Sequence, residues 1–130
     1  TGNQIYKRSY QSWNASWGGW QIAHTDRVVP ALQNGWVQYG SPYQAPCYWK
    51  DANNIVHLAG FIKGGNQGSN IFVLPAGFRP NAREVFSVVI SDGKDGQLGR
   101  VDVRDDGSVV AVKSSTNWMS ISGISFLATK

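Results

Sequence analysis

The sequence has little of what disulfide-linked, nucleic-acid-binding or membrane proteins depend on. Cys47 is the single cysteine, so no disulfide can form within the chain, which is compatible with assembly in a reducing cytoplasm. The 12 Lys and Arg residues give a net charge of +4, but they are scattered and form no basic run. No apolar run approaches the length of about 18 residues that a membrane helix requires. We therefore expect no nucleic acid partner and no membrane insertion.

Patterns for catalysis and metal binding are also missing. Two histidines and eight carboxylates offer no metal-ligand spacing, no phosphate-binding loop and no nucleophile elbow. Asp102, Asp105 and Asp106 are close in sequence, but strand alternation and a turn account for them. We predict a protein that is not an enzyme, with no catalytic residue, no metal and no cofactor.

Aromatic side chains are abundant instead, with six Trp and five Tyr among 130 residues. Such rings fill protein cores, but they are also favoured at surfaces that must be apolar and still form hydrogen bonds, such as interfaces and sugar sites. A pyranose presents an apolar face to a ring and hydroxyl groups to Asn, Gln and Asp. Loops that combine rings and amides are therefore candidate glycan sites.

The middle of the chain alternates in the manner of β-strands. Residues 55–63 predict one strand with Val56, Leu58 and Ile62 on one side, and its other side is also largely apolar. The glycine-rich turn GGNQGSN follows, and residues 71–74 predict a second strand that ends at Pro75.

Two turn dipeptides predict hairpins. Asn34-Gly35 should pair Leu32 with Val37 across a two-residue turn. A two-residue turn at Asp106-Gly107 should pair Val103 with Val110 and Val101 with Val112, so that all four valines share one face. On the opposite face this register places Arg100 across from Lys113, which is unfavourable unless a carboxylate such as Asp102 intervenes.

Two later segments complete the predicted core. In residues 85–91, Phe86, Val88 and Ile90 share one face while Val85 and Val89 lie on the other, which suggests a subunit interface. In residues 118–127, a bulge at Gly123 would keep four apolar side chains on one face: Met119, Ile121, Ile124 and Phe126. These patterns predict an all-β protein, an antiparallel, jelly-roll-like β-sandwich of about eight to ten strands.

Several motifs carry a family resemblance. The run V-x-L-x-G-x-I-K-G-G at residues 56–65, followed by I-F-x-L-P-A-G-F-R-P at residues 71–80, resembles the C-terminal receptor-binding head of bacteriophage and prophage tail fibres. L-x-N-G-W at residues 32–36, G-R-V-D-V at 99–103 and W-x-S-I-S-G-I-S-F at 118–126 also match. The resemblance implies a homotrimeric β-sandwich head that binds the host surface at the fibre tip of a virion and is assembled in the host cytoplasm.

The chain divides into two predicted regions. Residues 26–130 are predicted to be the head. Residues 1–25, with strands expected at 5–10 and 17–22, resemble the repeats that precede fibre heads, including those of pyocin tail fibres. We expect this segment to be the end of an upstream fibre or knob-like module joined to a fibre shaft, or an N-terminal hairpin. Thr1 is not a natural start, so we expect a fragment or a processed piece.

Trp49 is the first candidate for a ligand-binding residue. If three residues connect the strands on either side of Asp51, then Tyr48 faces Leu58 and Trp49 lies beside His57, whereas a four-residue loop would exchange Tyr48 and Trp49. In the family that the chain resembles, this position is usually polar and exposed, so a Trp there departs from the pattern. His57 alone is more often structural than a metal ligand.

Four further residues complete the predicted ligand-binding set: Tyr43 in the loop at residues 41–46, Trp13, and Asn66 and Gln67 in the glycine-rich turn. We predict non-catalytic binding of a bacterial cell-surface polysaccharide. Two alternatives are a structural cap that trimerises a fibre and a carbohydrate-binding module of a secreted protein. The mass of the protein in solution distinguishes a carbohydrate-binding module from the other two interpretations, because such modules are usually monomeric.

Overall fold

A computed structural model describes residues 25–130, which form two antiparallel β-sheets and contain no helix. The strands are β1 (Val37–Gln38), β2 (Cys47–Lys50), β3 (Ile55–Ala59), β4 (Phe61–Lys63), β5 (Asn70–Val73), β6 (Glu84–Ile90), β7 (Gln97–Val103), β8 (Ser108–Lys113), β9 (Met119–Ser120) and β10 (Ile124–Leu127). One sheet has seven strands in the order β1-β4-β9-β6-β7-β8-β5, and the other has the order β10-β3-β2. The predicted all-β antiparallel sandwich is confirmed.

The core lies between the sheets and follows from strand alternation. Val56 and Leu58 in β3 are buried while their neighbours are half-buried, and Val88 and Ile90 in β6 are buried on either side of the exposed Val89. Each such side chain stabilises the fold by about 1.5–3 kcal/mol through removal of apolar surface from water. Trp36, which follows the Asn34-Gly35 turn, is also fully buried.

The predicted strand over residues 55–63 is wrong in one respect, because Gly60 divides it. Gly60 has a φ of 140°, and a Cβ at this position would collide with the backbone of Pro46. The chain passes here from the three-stranded sheet into the seven-stranded sheet. Val56, Leu58 and Ile62 still share the core, because each sheet keeps the predicted side facing inwards.

The predicted bulge at Gly123 is a similar passage between sheets. Gly123 lies in a turn between β9 and β10, which belong to different sheets. The four apolar side chains predicted to share a face all belong to the core. The two passages are bonded to each other: the Ile121 N–H donates to the Gly60 carbonyl, and the Gly60 N–H donates to the Ser122 hydroxyl, both at 2.9 Å.

The Asn34-Gly35 turn forms, but its predicted hairpin does not. Asn34 and Gly35 have φ values of 56° and 84°, and the Trp36 N–H donates to the Gln33 carbonyl, as in a type I′ turn. Val37 pairs with Lys63 of β4 rather than with Leu32. The backbone before the turn bonds elsewhere, since the Gln33 N–H donates to the Ile71 carbonyl.

The β7–β8 hairpin differs from its predicted register by one residue. The Gly107 N–H donates to the Arg104 carbonyl, so the loop has three residues and Val103 pairs with Val109 rather than Val110. Val101 accordingly pairs with Ala111 rather than Val112. Gly107 has a φ of 92°, its carbonyl accepts the Leu74 N–H, and a Cβ there would collide with the Leu74 carbonyl, so this position of the loop requires glycine.

A register shift between Arg100 and Val101 restores the last predicted pair of this hairpin. Arg100 lies opposite Lys113. Asp102, the carboxylate expected near this pair, accepts from Arg100 with both of its oxygens at 2.8 and 2.9 Å.

Candidate functional site

Four aromatic rings meet where β1 ends and β4 begins. Tyr43 stacks on Phe61 with ring centroids 4.3 Å apart, and Phe61 stacks on Trp118 at 5.1 Å. Tyr39 makes T-shaped contacts with both Phe61 and Tyr43. The backbone fixes this arrangement, since the Tyr39 N–H donates to the Phe61 carbonyl and the Phe61 N–H donates to the Gln44 carbonyl. Each ring therefore has a supporting neighbour.

Beside these rings lies an open depression of about 530 Å³, here called the Trp118 depression. It is lined by Tyr39, Lys63, Ser91, Gly93, Lys94, Thr116, Asn117 and Trp118. Its walls are the end of β4, the β6–β7 turn and the segment before β9.

The β6–β7 turn is held by its own hydrogen bonds. Asp92 accepts from the backbone N–H groups of Lys94 and Gly96 at 2.8 and 2.9 Å, and these bonds hold the pKa of Asp92 below its usual value. The Ser91 N–H donates to the Trp118 carbonyl and connects the turn to the opposite wall. The depression is thus bounded by connected backbone segments.

The lining of the Trp118 depression suits a polar ligand with an apolar face. Tyr39 is 38% exposed and Trp118 is half-buried, so both rings reach solvent. Ser91, Thr116 and Asn117 supply hydroxyl and amide groups, and the Lys63 ammonium lies 5.1 Å from the Tyr39 ring centroid. Rings beside hydrogen-bonding groups are the combination that a saccharide requires.

A second depression, of about 370 Å³, surrounds Trp49 and is here called the Trp49 depression. Thr25, Asp26, Arg27, Trp49 and Asp51 line it. Its lining therefore contains one cation and two carboxylates, so both signs of charge are present.

The Trp49 ring is flanked on two sides. As predicted for a three-residue loop, Tyr48 pairs with Leu58 and Trp49 with His57. The His57 ring stacks on Trp49 at 5.2 Å, and the Arg27 guanidinium lies 4.2 Å from the Trp49 ring centroid. Arg27 precedes Val28, which pairs with Tyr48 along the edge of β2 opposite to β3. The two neighbours therefore approach the ring from opposite sides.

Asp51 holds the His57 ring in this arrangement through a hydrogen bond. Its carboxylate bonds His57 Nε2 at 2.8 Å and accepts from the N–H groups of Asn53 and Ile55. Burial acts to raise the pKa of Asp51, but the hydrogen bonds from His57 and the two backbone groups outweigh it and leave the pKa below its usual value.

The predicted ligand-binding residues do not come together. Trp49 lines its own depression, whereas Tyr43 belongs to the ring cluster beside the Trp118 depression. The Gln67 side chain accepts from the Ser114 N–H, and the backbone carbonyl of Asn66 accepts from the Ser69 hydroxyl. Neither lines a depression described above. Trp13 lies outside the described residues, as do the strands expected before residue 25.

Sequence reasoning did not select Tyr39, Lys63 or Trp118 as ligand-binding residues. A signal was present for two of them, because Lys63 and Trp118 belong to the motifs that carry the family resemblance. Tyr39 is separated from Tyr43 by a short loop, which also brings their rings together. What the sequence did not show is that β4 and β9 are neighbours in one sheet.

Within residues 25–130, no group of three or more His, Cys, Asp or Glu side chains is placed to hold a metal ion. The same residues contain no helix long and apolar enough to cross a membrane.

Comparison with known proteins gives one informative likeness. No family model matches the chain, and no curated protein matches it. The crystal structure of the receptor binding protein (gp15) of Listeria phage PSA is similar, with a TM-score of 0.66 over 84% of this chain and 67% of that chain. The two sequences are 14% identical. This likeness shows that the chain has a fold also found in a phage receptor binding protein.

Proposed function

We propose that this chain is the receptor-binding head of a bacteriophage or phage-derived tail fibre. At the fibre tip of a virion it attaches the particle to a glycan on a bacterial surface, without catalysis. The observation that carries the proposal is the Trp118 depression, where two solvent-reaching rings lie beside hydroxyl, amide and ammonium groups. The fold shared with a phage receptor binding protein supports the proposed place on a phage or phage-derived particle.

A shallow sugar site of this kind needs more than one copy to hold a particle. A single saccharide typically binds with a free energy of about −4 kcal/mol, which corresponds to a dissociation constant of about 1 mM. Linked sites raise the effective affinity by roughly 10²- to 10⁴-fold when they can engage together. We therefore propose that the head acts as a homotrimer, joined to a fibre shaft through the residues before the head and assembled in the host cytoplasm.

The outer face of β6 and β7 supports association. Leu98, Val85 and Val89 are 67%, 58% and 51% exposed on this face. Exposed apolar residues that lie together are typical of protein interfaces. Next to them Asp102 is fully buried under Arg83 and Arg100, which hold its pKa below the usual value. The carboxylate is thus already paired, so packing against a second copy would not leave it uncompensated.

The oligomeric state is tested by the mass of the protein in solution. We expect three times the chain mass at micromolar concentration. Leu98→Lys should dissociate the trimer, because it places a charge in an apolar contact. Leu127→Lys is the matched control, since Leu127 is an exposed leucine of the three-stranded sheet. A wild-type monomer would contradict this part of the proposal and favour a carbohydrate-binding module.

The receptor class is tested by binding of the labelled protein to intact bacteria of a broad panel. We expect binding to some strains, and we expect periodate oxidation of their surface sugars to abolish it. Protease treatment of the same cells is the control and should leave binding unchanged. A confirmed trimer that binds no strain would favour a purely structural cap, and binding lost only after protease treatment would contradict a glycan receptor.

A further inference from the structure

We propose that the Trp118 depression binds an acidic saccharide, one that carries a phosphate or a carboxylate group, and that Lys63 and Lys94 bind this group. The inference rests on the proposed glycan-binding function and narrows the class of ligand. It depends on where the acidic side chains of the chain are placed.

No acidic side chain lines the Trp118 depression, although two lysines do. All eight Asp and Glu residues of the chain lie within residues 26–106, so residues 1–24 can supply none. Among the described residues, ion pairs join carboxylates to His57, Arg83, Arg100 and Lys130, and none involves Lys63 or Lys94. The two ammonium groups therefore have no carboxylate partner on this chain.

The nearest acidic turn does not supply that partner. Asp92 belongs to the same β6–β7 turn as Lys94, but one of its oxygens accepts the N–H groups of Lys94 and Gly96. Its carboxylate therefore shapes the turn that carries Lys94. Neither Asp92 nor Asp95, the other acidic residue of this turn, is among the groups that line the depression, and neither belongs to an ion pair of the described residues. Asp105, farther along the chain, is paired with Lys130 at 3.1 Å.

Both lysines stand on backbone that is held in place. Lys63 ends β4, where its Cα partner is Val37, and its ammonium lies near the exposed Tyr39 ring. The next residue, Gly64, donates its N–H to the Thr116 carbonyl, which fixes the wall that carries Asn117 and Trp118. The backbone that carries both lysines is thus fixed before any ligand arrives, so only the side chains have to be ordered on binding.

This arrangement favours an acidic over a neutral sugar. Two like charges in one depression repel each other, and an anionic group between them would replace repulsion by charge-assisted hydrogen bonds. The rings would contact the apolar face of the same saccharide. The Trp49 depression is lined by Asp26 and Asp51 as well as Arg27, so an anionic ligand would also meet negative charge there and no such preference is expected.

The test uses a cell-wall glycopolymer purified from a strain that the protein binds. Its phosphodiesters are cleaved with hydrofluoric acid in one arm, and its carboxylates are converted to amides with carbodiimide in the other. We expect one arm, and not the other, to weaken binding at least about tenfold, which identifies the acidic group. If both treated polymers bind like the untreated one, the acidic class is wrong while glycan recognition stands. If the untreated polymer is not bound, the glycan function itself fails.

Protein variants control for damage to the polymer. Lys63→Gln and Lys94→Gln should each weaken binding of the untreated polymer about tenfold. Lys130→Gln removes the same charge outside the depression and should leave binding unchanged. Raising the ionic strength from about 0.1 M to about 1 M shortens the screening length from about 10 Å to about 3 Å. Higher salt should therefore weaken binding by the wild type more than binding by the variant that carries both Lys63→Gln and Lys94→Gln. Equal salt dependence of the two proteins would overturn the proposal.

Discussion

The two depressions differ in what their neighbours leave uncovered. Trp49 and Trp118 both lie half-buried beside an open depression. The Trp49 ring is flanked by Arg27 and His57, and carboxylates lie beside the cation. Trp118 stacks on Phe61 and faces a depression with two lysines and no acidic side chain. This difference is the basis for proposing that Trp118 rather than Trp49 contacts the ligand.

The largest expected effect is on the stability of the whole fold, because the chain passes from one sheet to the other at Gly60 and both depressions depend on that fold. Gly60→Ala should lower the free energy of unfolding by about 3 kcal/mol or more, because it adds strain at a positive φ and a collision with Pro46. Gly68→Ala is the control, since Gly68 also has a positive φ but open space around it, and it should cost about 1 kcal/mol. Chemical denaturation measures both, and equal losses would contradict the close contact.

Trp118→Ala tests the open depression. We expect binding to bacteria to fall roughly 30-fold, the effect of removing a ring that contributes about 2 kcal/mol at the centre of a binding site. Thermal unfolding should show that the variant is folded, and Trp118→Phe should recover part of the binding because it can still stack on Phe61. A folded Trp118→Ala protein with wild-type binding would show that the receptor lies elsewhere.

Trp49→Ala tests the flanked ring. We expect binding to fall less than about threefold and stability to fall by about 1 kcal/mol, because the change removes contacts with Arg27 and His57 rather than a free ring surface. Arg27→Ala, which uncovers one side of the ring, should not weaken binding. If Trp49→Ala loses as much binding as Trp118→Ala, the distinction between the two depressions is wrong.

Asp51→Asn tests the hydrogen bonds beneath the Trp49 depression through the pH dependence of stability. The pKa of Asp51 is lowered in the folded protein, so its contribution to stability is present above the unfolded value of about 3.9 and is lost as the pH falls through the folded value. The variant should be less stable at pH 7 by at most about 1 kcal/mol, since the side chain is 36% exposed. This difference should disappear in acid. Asp95→Asn, which removes a carboxylate without such bonds, is the control for the lost charge and should leave the free energy of unfolding at pH 7 nearly unchanged.

The sequence predicted the parts of the fold that depend on local alternation. The two faces of β6 follow from the period of two along a strand. The pairing of Trp49 with His57 is the one expected for a three-residue loop, which the sequence left open against a four-residue loop. Loop length sets register, and one additional residue in the Asp105–Gly107 loop moved every valine pair of that hairpin. Alternation could not reveal this, because the pattern of apolar residues along the strands does not fix the number of residues in the loop.

The candidate site was harder to predict because it forms between distant segments. Tyr39, Lys63, Lys94 and Trp118 come together only because β4 pairs with both β1 and β9 and β6 lies next to β9. The passages between sheets at Gly60 and Gly123 determine which strands are neighbours. The sequence pattern predicted a continuous strand at Gly60 and a bulge at Gly123 instead. The predicted set of ligand-binding residues was therefore spread over separate surfaces.

A crystal structure of the protein with an oligosaccharide released from a strain that it binds tests the central claim most directly. We predict that the sugar lies in the Trp118 depression, with its apolar face on Tyr39 or Trp118 and its acidic group within hydrogen-bonding distance of Lys63 or Lys94. A sugar seated against Trp49, with the Trp118 depression empty, would contradict it.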